Sequence, residues 1–324
     1  MAFLSLFLWV LAALFVLAAL AAGYFAYATR RIAAQSEKLV PAAGKFIDID
    51  GNRIHYVDQG EGPAILFVHG LGAQLLQFRH PLFDKFDGYR LIAMDRPGAG
   101  YSVRARGASA RLTEQARVIS RFIDALGLEK PLLVGHSLGG LVALTTALEH
   151  PRAISGIALL APLTRYQDTV PPEFKALYIR SPLKRWLMAN TLAIPTSLKY
   201  APQTLAFIFG PQPPDDDYLI KGGGWVGLRP SHFYGAVSDF TAIEQDMPAL
   251  EKRYGEISMP AGILFGTEDR VLGYERHGLG MEGAIPGLEI EILHGVGHMP
   301  HYAAAEKVAA FIKRIADRAF ASRR

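Results

Sequence analysis

Two kinds of hydrophobic pattern divide the chain. Residues 2–29 form an apolar segment without a single charge, and from Lys45 onward short apolar runs alternate with longer segments that have apolar residues at helical spacing. Runs that are apolar on both faces are typical of strands covered by helices on both sides, so we expect an α/β fold with a mainly parallel central sheet. These runs are Ala64–His69, Leu91–Met94, Leu132–Gly135, Ile154–Leu160 and Ala261–Phe265.

The remaining elements complete this alternation. Phe46–Asp50 and Arg53–Val57 are rich in β-forming residues and meet at Asp50-Gly51-Asn52, which predicts a hairpin before the first apolar run. Further elements are predicted as helices at Leu112–Leu126, Gly139–His150 and Ala303–Ala321 and as a strand at Leu288–Leu293.

The alternation fails between residues 164 and 246. This stretch has many prolines, the run Gly222-Gly223-Gly224 and the acidic triplet Asp215-Asp216-Asp217, among helical fragments with large apolar residues. We interpret it as a mostly helical cap inserted into the core. The chain then divides into an anchor at 1–29, a first core part at 30–163, the cap at 164–246 and a second core part at 247–324.

The apolar segment at residues 2–29 predicts a membrane-spanning helix. At ~1.5 Å per residue it would extend roughly 40 Å, enough to cross a bilayer with some tilt. A cleaved signal peptide is the alternative, because Ala26-Tyr27-Ala28 resembles a cleavage site, but a positive n-region is missing. Arg30 and Arg31 follow the segment, which favours a single-pass protein with its main domain on the cytoplasmic side.

The amino-acid composition excludes several kinds of functional site. The 324 residues include no cysteine, which excludes disulfides, thiolate metal sites and a cysteine nucleophile. With 34 basic and 30 acidic residues the net charge is only +4, too small to predict nucleic-acid binding. No motif calls for a cofactor, and the sequence does not indicate an oligomeric state.

The segment Gly135-His136-Ser137-Leu138-Gly139-Gly140 contains the pattern G-x-S-x-G between a predicted strand and a predicted helix. In this context a serine is held at a sharp turn with its hydroxyl raised at the carboxyl edge of a sheet. The flanking glycines permit close packing beneath the turn, and the N-terminus of the following helix favours developing negative charge. We therefore predict that Ser137 is a nucleophile.

Acyl transfer at such a serine needs two fixed N–H donors for the oxyanion. We expect one from the backbone of Leu138, directly after the nucleophile, and the other from Leu71, in the loop that ends the strand Ala64–His69. In that loop His69 is expected to form hydrogen bonds that hold the backbone. The predicted supporting residues are His69, Gly70, Gly135, His136 and Gly139.

A serine hydroxyl needs a base, and the base needs an orienting carboxylate; in this arrangement they follow in the order Ser, acid, His. Asp269 lies in the loop after the strand that follows the cap and is the predicted acid, with Glu268 as the alternative. His298 is the predicted base, because Gly295 and Gly297 free a loop that can reach the sheet edge.

Three histidines within eight residues, His294, His298 and His301, could also indicate a metal site. No clustered carboxylates accompany them, so we predict no metal here. His294 is expected at the end of a strand and His301 at the start of the final helix.

With these motifs the chain resembles the α/β-hydrolase superfamily, in its capped esterase- and lipase-like branch. The resemblance covers about residues 45–321 and implies the α/β-hydrolase fold. A Gly98-x-Gly100 pattern lacks the third glycine of a dinucleotide fingerprint, and the resemblance implies a structural turn there. The motifs that carry the resemblance are His69-Gly70, Asp95–Ser102, Gly135–Gly140, Asp269 and Gly297–His301.

The resemblance also separates branches of the superfamily. Dehalogenases and epoxide hydrolases of this fold use an aspartate where this chain has Ser137. Carbon–carbon bond hydrolases usually carry a tryptophan directly after the histidine, where this chain has Met299. Tyr302-Ala303-Ala304-Ala305 also departs from the common acidic and proline residues of that helix.

An apolar cap, a membrane anchor and a serine triad together favour a lipophilic ester as substrate, such as a monoacylglycerol or a similar acyl ester. A hydrolase of a C–C, amide or thioester bond is the alternative, and a non-catalytic binding protein on the same fold is a remote one. The cap aromatics that could line the pocket are Trp186, Phe207, Phe209, Trp225, Phe233 and Tyr234.

Overall fold

An eight-stranded sheet forms the centre of the computed structural model, which describes residues 2–169 and 172–321. The order across the sheet is β1-β2-β4-β3-β5-β6-β7-β8; β1–β2 and β2–β4 are antiparallel and the later pairs are parallel. The predicted mainly parallel sheet and its hairpin are therefore confirmed. The strands are β1 Lys45–Ile49, β2 Asn52–Gln59, β3 Ala64–Val68, β4 Arg90–Met94, β5 Leu132–His136, β6 Gly156–Leu160, β7 Ala261–Gly266 and β8 Glu289–Leu293.

Helices connect the strands and also occur in the segment at 164–246 that we interpret as a cap. The predicted final helix begins at Ala305 rather than Ala303, because Ala304 leaves the helical conformation (φ −147°, ψ 48°). The helices are α1 Ala2–Leu39, α2 Leu76–Leu82, α3 Leu112–Ala125, α4 Leu138–Glu149, α5 Pro182–Asn190, α6 Ala193–Phe209, α7 Pro230–Leu250, α8 Tyr274–His277, α9 Pro300–Ala303 and α10 Ala305–Ala321.

The core lies on both faces of the sheet, which explains the continuous apolar runs. In β3, Leu66 and Val68 pack with α3 and α4 on one face, whereas Ile65 and Phe67 pack with α2 and α10 on the other. All four side chains are fully buried. Since neighbouring side chains of a strand point to opposite faces, a strand covered on both sides must be apolar at every position.

Helices α5, α6 and α7 lie between β6 and β7, in the segment that we interpret as a cap. The predicted cap boundary at residue 246 falls inside α7, which continues to Leu250. The predicted anchor, cap and second core part also include residues 1, 170–171 and 322–324, which lie outside the described residues.

Helix α1 has an exposed apolar first part and a second part that contacts the cap. Its side chains from Phe3 to Tyr24 are largely exposed, and α1 is long and apolar enough to cross a membrane. The helix does not end at Thr29 but continues to Leu39. In this extension the Ser36 hydroxyl donates to the carbonyl of Trp225 (2.5 Å) in the cap.

Candidate active site

Ser137 lies at the turn between β5 and α4 in a backbone conformation that L-residues rarely adopt, with φ 52° and ψ −120°. Its N–H donates to the carbonyl of Leu160 at the end of β6 (3.0 Å). A Cβ atom at Gly139 would lie 2.1 Å from the Val68 carbonyl oxygen, and one at Gly135 would lie 2.4 Å from the Gly139 oxygen. The turn therefore has room only for glycine at these two positions.

Asp269 and His298 form a hydrogen-bonded pair in the loops after β7 and β8. His298 Nδ1 lies 2.7 Å from Asp269 Oδ2, and the two side chains are 5% and 0% exposed. The other carboxylate oxygen accepts from the N–H groups of Val271 and Leu272 (2.8 and 2.9 Å). Because the carboxylate accepts the Nδ1 proton, Nε2 of His298 is left free to take up another.

His136 joins the serine turn to the histidine loop. Its Nε2–H donates to the backbone carbonyl of His298 (2.8 Å), and the two imidazole rings are 4.8 Å apart. Ser137 and His298 both line the same cavity. The structure thus brings the three predicted triad residues to one end of the parallel strands.

The other titratable groups of these loops are placed differently. Glu268, the alternative acid, contacts the histidine loop through its backbone, whose N–H donates to the carbonyl of Val296 (2.9 Å). His294 is exposed, and His301 is fully buried in the short helix α9. Within residues 2–169 and 172–321, no three His, Asp or Glu side chains are grouped as metal ligands.

The loop after β3 passes beside Ser137. A Cβ atom at Gly70 would lie only 3.0 Å from the Cβ of Ser137. Leu71 and Leu138 line the cavity, and in the described part of the chain neither backbone N–H donates a hydrogen bond. Two backbone donors are therefore available next to the serine.

His69 is buried behind this loop and holds it. Its Nδ1–H donates to the carbonyl of Gly70 (2.8 Å), and its Nε2 accepts from the N–H of Arg96 (3.0 Å). Burial and, to a lesser degree, the Arg96 charge lower the pKa of His69 to about 3. His69 is therefore a neutral structural imidazole.

Two further buried histidines are neutral for the same reason. Burial, together with neighbouring His301 and His298, holds the pKa of His136 well below its usual value. Burial lowers the pKa of His301 to about 3. Neither ring nitrogen of His301 has a hydrogen-bond partner in the described residues.

We expect the fold to lose stability in acid because these histidines take up protons only on unfolding. Between the usual pKa of ~6.5 and the folded value of about 3, the unfolded chain binds more protons, so the free energy of unfolding falls as pH is lowered through this window. Replacing His301 with Phe should reduce the slope of this free energy near about pH 5 by roughly one proton, or ~1.4 kcal/mol per pH unit.

Urea unfolding of the detergent-solubilised protein at several pH values measures that slope. The exposed His294→Gln variant is the matched control and should leave it unchanged. An equal slope in wild type and His301→Phe would mean that the imidazole at 301 is not kept neutral by burial.

A cavity of about 850 Å³ lies between the sheet edge and the cap. Its volume is within the range of ~300–1,000 Å³ that is usual for small-molecule sites. Of the six cap aromatics singled out above, Phe207 and Phe233 line this cavity, and the other four lie elsewhere. Its other apolar cap residues include Ile208, Ala236, Phe240 and Ile243.

Sequence reasoning missed two polar residues of the cavity wall. His232 on α7 is buried and accepts from the N–H of Gly100 (2.8 Å). Gln77 on α2 is also buried and lies 3.3 Å from His136 Nδ1. Neither residue belongs to a motif, and their hydrogen-bond partners are 132 and 59 positions away in the sequence. No local sequence pattern could therefore predict their position in the cavity wall.

Comparison with known proteins supports this architecture. A family model described as the α/β-hydrolase fold matches residues 63–207. A crystal structure described as a membrane phospholipase A and bacterial virulence factor superposes with a TM-score of 0.67 over 95% of this chain and 98% of that chain. Its sequence is 24% identical, which shows a shared fold.

Two curated relatives can be aligned with most of the chain at low sequence identity. One is the 2-hydroxy-6-oxononadienedioate/2-hydroxy-6-oxononatrienedioate hydrolase of Comamonas testosteroni, 27% identical over 286 residues, or 84% of this chain and 95% of that protein. Another is the dihydrolipoyllysine-residue acetyltransferase component of the acetoin cleaving system of Cupriavidus necator, 27% identical over 86% of this chain and 70% of that protein. The chain has the α/β-hydrolase fold, and its residues 63–207 match the family model of that fold.

Proposed function

We propose that the protein is a serine hydrolase that cleaves lipophilic carboxylic esters, such as monoacylglycerol-like acyl esters, through an acyl-enzyme intermediate. The observation that carries this proposal is the hydrogen bond between Asp269 and His298, together with the presence of His298 and Ser137 in the lining of the same, mainly apolar cavity. No metal or cofactor takes part in this proposal.

In the acylation step, the oxygen of Ser137 attacks the ester carbonyl carbon while Nε2 of His298 takes the hydroxyl proton. Asp269 keeps the imidazole oriented and stabilises the imidazolium that forms. The carbonyl oxygen becomes negatively charged and accepts hydrogen bonds from the N–H groups of Leu71 and Leu138. His298 then returns its proton to the departing alcohol.

Deacylation repeats these events with water as the nucleophile. Water gives a proton to His298 as its oxygen attacks the acyl carbon, and the same two N–H groups bind the second oxyanion. The Ser137 oxygen leaves with the proton from His298, and the free acid is released. The enzyme is thereby regenerated without any external reactant besides water.

The lining of the cavity supports an acyl substrate. The cap contributes several large apolar groups, such as Phe207, Phe233 and Phe240, to the wall of the cavity. Each buried methylene contributes ~0.8 kcal/mol, so binding of an acyl chain strengthens with length until the cavity is filled.

A panel of p-nitrophenyl esters from acetyl upward tests this proposal. We expect kcat/KM to rise on the order of tenfold or more from acetyl to octanoyl esters, because the longer chain fills the apolar cavity in the transition state. Highest activity on the acetyl ester would contradict a lipophilic substrate.

We also propose that α1 anchors the protein in a membrane as a single-pass helix. The first part of α1 is apolar and exposed, and Trp9 and Tyr24 lie at positions that suit membrane interfaces. Arg30 and Arg31 follow on the exposed surface and favour a cytoplasmic location for the remaining domain.

An apolar stripe on the cap supports this attachment. Leu183, Trp186 and Leu187 recur at helical spacing on α5 and are 66%, 55% and 47% exposed. Helix α5 lies next to α1, because the Thr29 hydroxyl donates to the carbonyl of Thr191 directly after α5 (2.6 Å). Such a stripe is suited to the lipid headgroup region. Release of the full chain from membranes by an alkaline wash would contradict the anchor.

Cleavage of a carbon–carbon bond is a second candidate, because the Comamonas testosteroni relative is named as a hydrolase of 2-hydroxy-6-oxo dienedioates. The same Ser137, His298 and Asp269 would serve that reaction. Adding a vinylogous diketone to the ester panel separates the two, since turnover of the diketone far above any ester would favour this alternative.

A further inference from the structure

A buried arginine holds the peptide that carries one of the proposed oxyanion donors. Arg96, in the turn after β4, is 1% exposed. Its Nη2 donates to the carbonyl of Gly70 and its Nε donates to the carbonyl of His69, both at 3.0 Å. The Gly70 carbonyl also accepts from His69 Nδ1 (2.8 Å). Two donors therefore fix the direction of the Gly70 carbonyl.

This direction determines where the neighbouring N–H points. The Gly70 carbonyl and the Leu71 N–H belong to one planar trans peptide, in which the two groups point in opposite directions. Because the carbonyl is directed at Arg96, the Leu71 N–H is directed away from Arg96. Leu71 lines the cavity that also contains Ser137.

Arg96 is in turn held by the cap. Its Nη1 donates to Oδ2 of Asp239 on α7 (2.5 Å) and to Oε1 of Gln115 on α3 (2.6 Å). Asp239 is 1% exposed and also accepts from Arg104. A guanidinium that has been removed from water requires a carboxylate partner, so Arg96 depends on Asp239 for its position.

One face of α7 packs closely against the turn that contains Arg96. His232, Gly235 and Asp239 recur at helical spacing and share this face. His232 accepts from the N–H of Gly100 (2.8 Å), and a Cβ atom at Gly235 would lie 2.0 Å from the carbonyl oxygen of Gly98. The absence of a side chain at Gly235 lets the helix come close enough for Asp239 to reach Arg96.

We propose that Arg96 and Asp239 are positioning residues that couple the cap helix α7 to the oxyanion site. Asp239 holds the guanidinium, the guanidinium holds the Gly70 carbonyl, and the Leu71 N–H is thereby directed at the substrate oxygen. This inference rests on the proposed serine hydrolase function and adds to it a contribution from the cap to transition-state binding.

The test compares Asp239→Asn with Asp246→Asn. Asp246 is equally buried on α7 and pairs with Arg111 of the core, but it does not contact the loop at Gly70. We expect Asp239→Asn to lower kcat per fluorophosphonate-titrated site on the order of tenfold, because here the donor is displaced and not lost. Complete removal of an oxyanion donor lowers kcat by a larger factor of ~10²–10³. Asp246→Asn should stay within about twofold of wild type.

A second measurement separates positioning from stability. An alkyl boronic acid forms a tetrahedral adduct with the serine and needs the oxyanion donors, whereas the alcohol of equal chain length needs only the cavity. In Asp239→Asn the boronic acid should bind more weakly by about the same factor as kcat falls, while binding of the alcohol stays the same. Equal weakening of both ligands, or equal effects in Asp239→Asn and Asp246→Asn, would overturn the proposal.

Arg96→Lys provides the decisive variant if Asp239→Asn does not fold. Lysine keeps a positive charge beside Asp239 but lacks the planar fork that donates to the carbonyls of His69 and Gly70. The same selective loss of boronic acid affinity is therefore expected, and wild-type affinity in this variant would refute the role of Arg96. A wild-type protein that neither reacts with the fluorophosphonate nor cleaves any ester would instead refute the proposed function.

Discussion

Replacing Ser137 with Ala should lower turnover of an octanoyl ester on the order of a thousandfold or more and abolish labelling by a fluorophosphonate. The reason is chemical, because the variant keeps the cavity and the oxyanion donors but has no oxygen that can form the acyl-enzyme. Turnover of the detergent-solubilised protein and gel fluorescence of the labelled chain measure the two effects.

Ser155→Ala is a matched control for this variant. Ser155 is also buried, and among the described residues its hydroxyl has no hydrogen-bond partner. It precedes β6 at the end of the sheet opposite to Ser137, so the control should keep full activity and labelling. Labelling that persists in Ser137→Ala would show that another group is the nucleophile, and absence of labelling in the wild type would favour a non-catalytic binding protein.

Replacing Asp269 with Asn should lower kcat on the order of 10⁴-fold at neutral pH. In the native protein the Asp269 carboxylate accepts the Nδ1 proton of His298 at 2.7 Å, which leaves Nε2 unprotonated. An amide at this position can donate to Nδ1 and so favours the opposite tautomer, in which Nε2 already carries a proton. The base would then be present in the right place but unable to accept the serine proton.

Glu268→Gln is the control, and it also tests the alternative acid. Glu268 contacts the histidine loop only through its backbone N–H in the described structure, so its side-chain amide should change kcat by no more than a few-fold. A large loss in Glu268→Gln together with a small loss in Asp269→Asn would reverse the assignment.

The fold and the residues around Ser137 are predictable because each leaves a local pattern. The runs Ala64–Val68, Leu91–Met94, Leu132–Gly135, Gly156–Leu160 and Ala261–Gly266 are apolar at every position, because these central strands are covered on both faces, and this makes them recognisable without any long-range information. Ser137 and Asp269 each follow such a run, whereas His298 follows a strand of alternating apolar and acidic residues; glycines flank Ser137 and precede His298. Parallel strands place their carboxyl ends at one edge, so residues that follow different strands converge there.

The contacts that support these residues could not be predicted in the same way. Arg96 and Asp239 are separated by 143 positions in the sequence, and no local pattern around either residue predicts that the two form an ion pair. His301 lies three positions after His298 in the sequence, which does not reveal that its ring packs against Phe78 at 5.3 Å between centroids, inside the core. Pairings of this kind follow from the packing of the cap and of α9, which depends on the whole fold.

The unbroken path of α1 restricts how the domain could lie relative to a membrane in which α1 is anchored as proposed. Helix α1 runs from Ala2 to Leu39 without an interruption, and Glu37 near its end pairs with Arg229 of the cap (2.8 Å). A domain on a flexible linker samples many heights and angles above a membrane surface, whereas a domain bonded to a rigid spanning helix is restricted to the few that the tilt of the helix allows. If α1 anchors the protein as proposed, the cavity would therefore stay within a narrow range of distances from the lipid, and esters whose acyl groups lie at that depth would be selected over the same esters in bulk water.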